Sequence, residues 1–191
     1  MRIVIPADRP KYEREMPGGL ALTLSPILKT DREFFEKGIE ELSLESRFAR
    51  FGQGVGSLSN RELDYLTDVD QRKHVAWGAV VGENAAGVGR YIITTDPARA
   101  EIAITVLDRM QRMGVGSALF EALTAVARRD GVHEFIFEAQ ADNEAIMALM
   151  REIEIAPLDY GGVIERSIRL ADLPTSAHDD GLVEVIEEVR S

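Results

Sequence analysis

The sequence predicts a mixed α/β domain of the α+β kind built on a central sheet, and three observations carry that prediction. Residues 74–93 hold two apolar runs around the turn residues Gly82-Glu83-Asn84, the pattern of a β-hairpin. A third run, residues 100–107, alternates Ile102, Ile104 and Val106 with Glu101, Ala103 and Thr105, as a strand does. From Gly114 the period changes. Val115, Ala118, Leu119, Ala122, Leu123 and Val126 follow i, i+3, i+4, i+7, i+8, i+11, which is one face of a helix.

The remaining elements follow in order. Residues 1–18 contain Pro6, Pro10 and Pro17 and lead into Gly18-Gly19, which predicts an irregular lead-in. Residues 20–24 are expected to be the first strand. Thr30 is expected to cap a helix with Asp31 and Glu33 in its first turn and Phe34, Phe35, Ile39 and Leu42 on its apolar stripe. Leu44, Phe48 and Phe51 predict a second short helix. Gly52-Gln53-Gly54-Val55-Gly56 follows a helix, not a strand, so it is read as a loop and not as a phosphate cradle. Ser59-Asn60-Arg61-Glu62 fits a capping box. Arg128-Arg129 and then Gly131 end the long helix. Phe135-Ile136-Phe137 is the centre of a buried strand. Asp142 or Asn143 caps a helix carrying Ile146, Leu149, Met150 and Ile153, which Pro157 stops. Residues 163–170 close the sheet. Trp77 and Tyr91 are expected to face each other across the hairpin as packing residues. The division is thus a lead-in (1–18), one domain (19–172) and an acidic tail (173–191). Val183, Val185, Ile186 and Val189 in that tail suit either a short packed helix or a disordered end.

Composition narrows the function. The chain has 191 residues, 45% hydrophobic and 29% charged, which is ordinary for one globular domain. It has no apolar run of the roughly 18 residues a membrane helix needs, and its first residues do not form a signal peptide, so the expectation is a cytosolic protein. With no cysteine, disulfides, thiolate metal sites and a Cys nucleophile are excluded. His74, His133 and His178 lack metal-ligand spacing, so no metal is expected. A formal net charge of −11 repels nucleic acid and anionic membranes. It suits cationic acceptors such as lysines or polyamines, and it also serves solubility.

The chemistry concentrates at Gln111-Arg112-Met113-Gly114-Val115-Gly116-Ser117. A strand, a short loop and a glycine-bearing helix start make an anion site, because the first turn of a helix offers unpaired N–H groups and the positive end of the dipole. Gly114 and Gly116 let a diphosphate approach the backbone. Gln111, Arg112 and Ser117 add side-chain donors.

The order β-hairpin, strand, Gln-x-x-Gly-x-Gly, helix, strand, Asn, helix, strand resembles the GNAT acyltransferase superfamily over about residues 20–170. That resemblance implies a mixed, mostly antiparallel sheet of six to seven strands flanked by about four helices. It implies an acyl-CoA loop at residues 111–116, a cofactor-contacting Asn143, and acetyl-CoA as cosubstrate. A narrower resemblance rests on Leu42-Ser43-Leu44-Glu45-Ser46-Arg47-Phe48-Ala49-Arg50-Phe51, on Ala100-Glu101-Ile102-Ala103 and on Gln140-Ala141-Asp142-Asn143. It is to the Pat-type bacterial protein lysine acetyltransferases. In some of those the catalytic unit is fused to a cyclic-nucleotide-binding domain or to an acyl-CoA-synthetase-like region; these 191 residues have room for neither.

The resemblance implies direct attack of an amine on the thioester, with Glu101 as general base and Glu138 as its rival. A backbone N–H at Val106 or Leu107 would meet the thioester oxygen. The acceptor it implies is a protein lysine, with acyl-CoA synthetases as candidate substrates. Many members carry a tyrosine seven residues after the asparagine; this chain has Met150 there, as Pat-type enzymes also tend to lack it, and Tyr160 is a distant substitute. The usual Gly-Phe after that helix is replaced by Arg151-Glu152-Ile153-Glu154. The alternatives are a small-amine N-acetyltransferase and a non-catalytic acyl-CoA-binding module.

Overall fold

A computed structural model describes residues 3, 5–16, 18–44, 46–47, 56–140 and 163–191, and the statements below concern these residues. Seven strands form one sheet in chain order. They are β1 (Tyr12–Glu15), β2 (Ala21–Pro26), β3 (His74–Val81), β4 (Asn84–Ile93), β5 (Arg99–Val106), β6 (Glu134–Gln140) and β7 (Val163–Arg169). Every neighbouring pair is antiparallel except β5 and β6, which are parallel. The long helix between them is the crossover that a parallel pair requires. Four α-helices accompany the sheet: α1 (Arg32–Glu40), α2 (Asn60–Thr67), α3 (Val115–Arg129) and α4 (Asp179–Arg190). No described helix is long and apolar enough to cross a membrane.

The sheet separates two cores. On one face α3 and α4 pack over Val75, Trp77 and Tyr91 with Leu119, Leu123, Leu182 and Ile186, all of them buried. On the other, α1 and α2 bring Phe35, Leu63 and Leu66 against Ile27 and Ala76. Covering both faces explains why β3 is nearly continuously apolar, without the alternation of a half-exposed strand. The apolar stripe of α3 is fully used: Val115, Ala118, Leu119, Ala122, Leu123 and Val126 are each at most 1% exposed.

Four local expectations are corrected or resolved. The stretch 1–18 is not wholly irregular. Tyr12-Glu13-Arg14-Glu15 alternates half-buried and exposed residues and forms edge strand β1, with Arg14 paired to Glu121 of α3 at 2.5 Å. Asp31, not Thr30, stands at the N-cap of α1. Its carboxylate accepts from the Leu28 N–H at 2.8 Å and pairs with Arg9. Trp77 and Tyr91 share a face but are not directly opposite, because the register sets Trp77 against Gly89 and Tyr91 against Val75. The acidic tail forms α4. Leu182, Val185 and Ile186 are buried, and the Arg190 side chain is 5% exposed, donating to both oxygens of Asp130 at 2.8 and 2.7 Å. Tyr91 donates its hydroxyl to the same carboxylate at 2.8 Å. The capping box at Ser59 and Glu62 forms as the sequence indicates. The helix expected over Phe48 and Phe51 and the one expected from Asn143 lie outside the described residues.

Two predictions follow from this packing. The Tyr12 hydroxyl is held by His178 Nδ1 at 2.6 Å, and a Cβ added at Gly181 would lie 2.7 Å from Tyr12 Cε2. The ring is pinned and has little room to yield. Gly181→Ala is therefore expected to lower stability by about 1–2 kcal/mol despite the better helix propensity of alanine, read as a lower midpoint in urea unfolding. His74 supplies the second. Burial and the adjacent Arg90 push its imidazole down to about 4. Its Nε2 accepts from Arg90 Nη1 at 3.1 Å, which requires the neutral ring. The unfolded chain, with an ordinary histidine value near 6.5, takes up this proton first. Stability is thus expected to fall as pH drops from about 6.5 towards about 4. Thermal unfolding of His74→Gln, which keeps an acceptor for Arg90, is expected to show a flatter dependence over that window than the wild type.

Candidate functional site

The site begins with a disagreement between two strand pairings. β5 stays on β4 from Ile93↔Ala100 to Gly87↔Val106. β6 stays on β7 from Glu134↔Arg169 to Gln140↔Val163. Between β5 and β6 only Arg99↔Glu134, Ala100↔Phe135 and Glu101↔Ile136 pair. Beyond Glu101 the strands part, and a wedge opens in the sheet.

Which peptide groups face the wedge follows from alternation. Arg99 C=O accepts from Thr94 N–H, and Leu107 N–H donates to Ala86 C=O, both at 2.9 Å. The peptides of residues 99, 101, 103, 105 and 107 therefore face β4, and those of Ile102, Ile104 and Val106 face the wedge. Of the two backbone donors expected for the thioester oxygen, the N–H of Leu107 is already engaged in the sheet. The N–H of Val106 points the right way.

The chain leaves β5 through a 3-10 turn at Asp108–Met110. Arg112 then adopts φ +59° and Gly114 φ +82°, a left-handed conformation that glycine enters without a Cβ penalty. Gly114 is the N-cap of α3 and brings no side chain to it. α1, α2 and α4 each carry an acidic residue in the first turn, and α3 carries none. The positive dipole end of α3 therefore meets no first-turn carboxylate of its own, which suits an anionic ligand. A Cβ added at Gly116 would meet Val106 Cγ2 at 3.7 Å, which places the helix start over the last residue of β5.

The other expected residues divide by role. Val115 is 1% exposed and Met113 packs partly against the core, so both side chains serve the fold. Gln111 makes a long contact from Nε2 to Val106 C=O, 3.4 Å. Arg112 is exposed and Ser117 half-buried. Glu101 is exposed on the face of the sheet that carries α1 and α2, opposite Ile92. Glu138 lies two residues past the last β5–β6 pair. Asn143, Met150 and Tyr160 lie outside the described residues. Among the described residues no group of three potential metal ligands gathers.

One feature of the site was not read from the sequence. Asp108, just before the loop, accepts from Ser43 N–H at 2.9 Å, Ser43 Oγ at 3.1 Å and Ser46 Oγ at 2.7 Å. Burial pushes its carboxyl up, but these donors outweigh it and hold it below the usual carboxylate range. Arg109 adds an ion pair with Glu41. The segment after α1 is thereby tied to the turn that enters the loop. The signal lay in the Leu-Ser-x-Glu-Ser run, whose two serines both bind Asp108.

This geometry agrees with what the chain resembles. Residues 35–153 match the acetyltransferase (GNAT) family model, and the chain belongs to that family. It is 30% identical over 142 residues to the acetyltransferase PA5475 of Pseudomonas aeruginosa, covering 72% of this chain and 76% of that protein. It is 30% identical over 171 residues to the acetyltransferase Pat of Mycolicibacterium smegmatis, covering 86% of this chain and 50% of that protein. The chain therefore spans about half the length of that relative. The GNAT domain of S. lividans PAT superposes with a TM-score of 0.74 at 25% identity, covering 87% of this chain and 99% of that domain, a Pat-like relationship in sequence and fold.

The helix start yields a test that separates binding from folding. In Gly116→Asp the added Cβ makes only ordinary contact with Val106 among the described residues, and the carboxylate sits where the helix dipole favours it, so the melting temperature is expected to hold or rise. The same charge repels a diphosphate. Acetyl-CoA affinity is expected to fall about tenfold or more by isothermal titration calorimetry, and less so at high salt.

Proposed function

We propose that this protein is an acetyl-CoA-dependent N-acetyltransferase that acetylates protein lysine by direct attack of the amine on the thioester, with Glu101 taking the amine's proton. One observation carries the reading: Glu101 is the last residue of β5 paired to β6, exposed at the point where the strands part.

The chemistry calls for a base at such a place. A lysine amine has a pKa of about 10.4 and arrives protonated, without a lone pair. An exposed carboxylate beside the wedge accepts that proton directly or through one water. The N–H of Val106 faces the wedge and favours charge on the thioester oxygen. The uncapped start of α3 suits the diphosphate of the cosubstrate. Solved structures of the same fold include yncA from Salmonella typhimurium with acetyl-CoA, at 14% identity and a TM-score of 0.60. The absence of a tyrosine at Met150 is compatible with turnover, since a thiol with a pKa near 8.5 leaves without a dedicated acid. The exposure of Glu101 and the net charge of −11 favour a cationic side chain on a macromolecule. Acyl-CoA synthetases are the first candidates, by resemblance to the Pat-type enzymes.

Labelled acetyl-CoA incubated with candidate proteins and with a panel of free amines tests the reading. Transfer to lysine is expected, and Glu101→Gln is expected to lower kcat by about 10²–10⁴ while acetyl-CoA affinity stays within about twofold. Undiminished transfer by Glu101→Gln overturns the role of Glu101. Rapid turnover of a free amine with none of protein lysine makes the acceptor a small amine. Tight acetyl-CoA binding with no transfer to any amine makes the protein a binding module.

A further inference from the structure

The face of the sheet that carries Glu101 also bears a small cavity of about 60 Å3, room for a short apolar tail or about four waters. Its walls come from α1, α2 and the facing strands. Phe35 and Gly38 close it on the helix side, Leu66 at one end, and Val88, Thr105 and Leu107 along the sheet. Apart from Thr105 and Arg90, its described lining is apolar or glycine.

The helix wall is unusual. The inward stripe of α1 runs Phe34, Phe35, Gly38, Ile39, and Leu42 follows just beyond the helix. A glycine inside a helix costs about 1 kcal/mol relative to alanine. A Cβ added at Gly38 would meet nothing within 4 Å among the described residues, so alanine would fit there and favour the helix. Interiors ordinarily fill such space. At Gly38 the chain keeps it open, on the same cavity that Leu107 and Thr105 line from β5.

Those two residues flank Val106, whose N–H faces the wedge. The cavity wall is therefore continuous with the strand end where the thioester is held in the reading above, on which this inference rests. Of the two reactants, the acceptor arrives as a cation. An apolar cavity with the buried Arg90 among its lining residues disfavours a second cation through desolvation and like charge. The acyl chain carries no charge and only methylenes. We propose that this cavity receives the acyl tail, and that the protein transfers straight-chain acyl groups of about four to six carbons in preference to acetyl. The reaction is balanced as for acetyl: the amide C–N bond forms and the thioester C–S bond breaks. Of the two protons the ammonium sheds, one ends on the coenzyme A thiol and one in solvent by way of Glu101.

The test compares acetyl-, butyryl- and hexanoyl-CoA against wild type and Gly38→Leu, measuring both Kd and kcat/KM with one acceptor. Each buried methylene is worth about a factor of four. Hexanoyl-CoA is expected to bind wild type at least about tenfold more tightly than acetyl-CoA, with butyryl-CoA between. Gly38→Leu is expected to erase that ratio while its melting temperature holds or rises. If Gly38→Leu does not fold, Gly38→Ala is expected to reduce the ratio by a smaller factor. Equal affinity for the three thioesters, or a ratio that survives Gly38→Leu, overturns the inference and leaves acetyl transfer standing. A variant that keeps the acyl preference but raises the KM for the amine also overturns it, by giving the cavity to the acceptor. A preserved Kd ratio without transfer of any acyl group sinks the catalytic reading and supports the cavity.

Discussion

β5 cannot follow both of its neighbours, and the site depends on that. Its ladder to β4 runs through Val106, while its ladder to β6 stops at Glu101. The stronger hold to β4 has a visible cause in how α3 sits. Gly87 and Gly89 face that helix, and a Cβ at Gly89 would lie 3.0 Å from Leu123 Cδ1. The helix thus rests directly on the backbone of β4, and the crossover from β5 to α3 must stay short. β6, entering after the helix, is free to pair with β7 and diverge. The wedge, the outward peptide of Val106 and the position of Glu101 at the fork all follow from this one split.

Holding α3 still matters because its first turn is the proposed diphosphate site. Its far end is fixed by Asp130, which receives the Arg190 guanidinium and the Tyr91 hydroxyl. Burial pushes the arginine's pKa down, but the bond to Asp130 outweighs it and raises it, so the guanidinium stays charged. Its near end is fixed by buried Val115 and by the Asp108 tie to Ser43 and Ser46. Preorganisation of this kind is what a site needs from its supporting residues. It also gives α4 a structural reason to exist, since the Arg190 that neutralises Asp130 lies in its last turn.

Much of this was legible from local pattern. The hairpin, the Glu101 strand, the long helix and the loop at 111–116 each carry their own periodicity or glycine signature, so they needed no tertiary information. What escaped the sequence was pairing. β1 is charged at three of four positions, and only its partners on α3 and β2 make it a strand. Whether Val106 or Leu107 offers its N–H depends on parity, which is set by Leu107 bonding Ala86 and by nothing in the local sequence. Trp77 and Tyr91 share a face, but their offset follows from the hairpin register, which shifts between Ala79 and Val80. The Asp108 tie spans residues 62 and 65 positions apart, beyond any local rule. In each case the missing information was which backbone lies beside which.

The places where the chain declines the more stabilising residue lie around the site. α2 uses a serine cap with a glutamate three residues on, whereas α3 begins at a glycine with no acid in its first turn. A polar cap is worth about 1 kcal/mol and a first-turn acid about 0.3–1 kcal/mol. Gly38 forgoes a comparable amount inside α1. Elsewhere the same protein caps α2, places acids in the first turns of α1, α2 and α4, and pairs even a buried arginine, so these are not signs of a poorly optimised chain. A fold gives up stability where another requirement prevails. At α3 that requirement is to keep the helix start clear of a side-chain cap and of a first-turn acid. At α1 it is to leave volume unfilled. The two sites lie on opposite faces of the sheet and meet at the end of β5, where Val106 stands beneath the start of α3 and Leu107 lines the cavity.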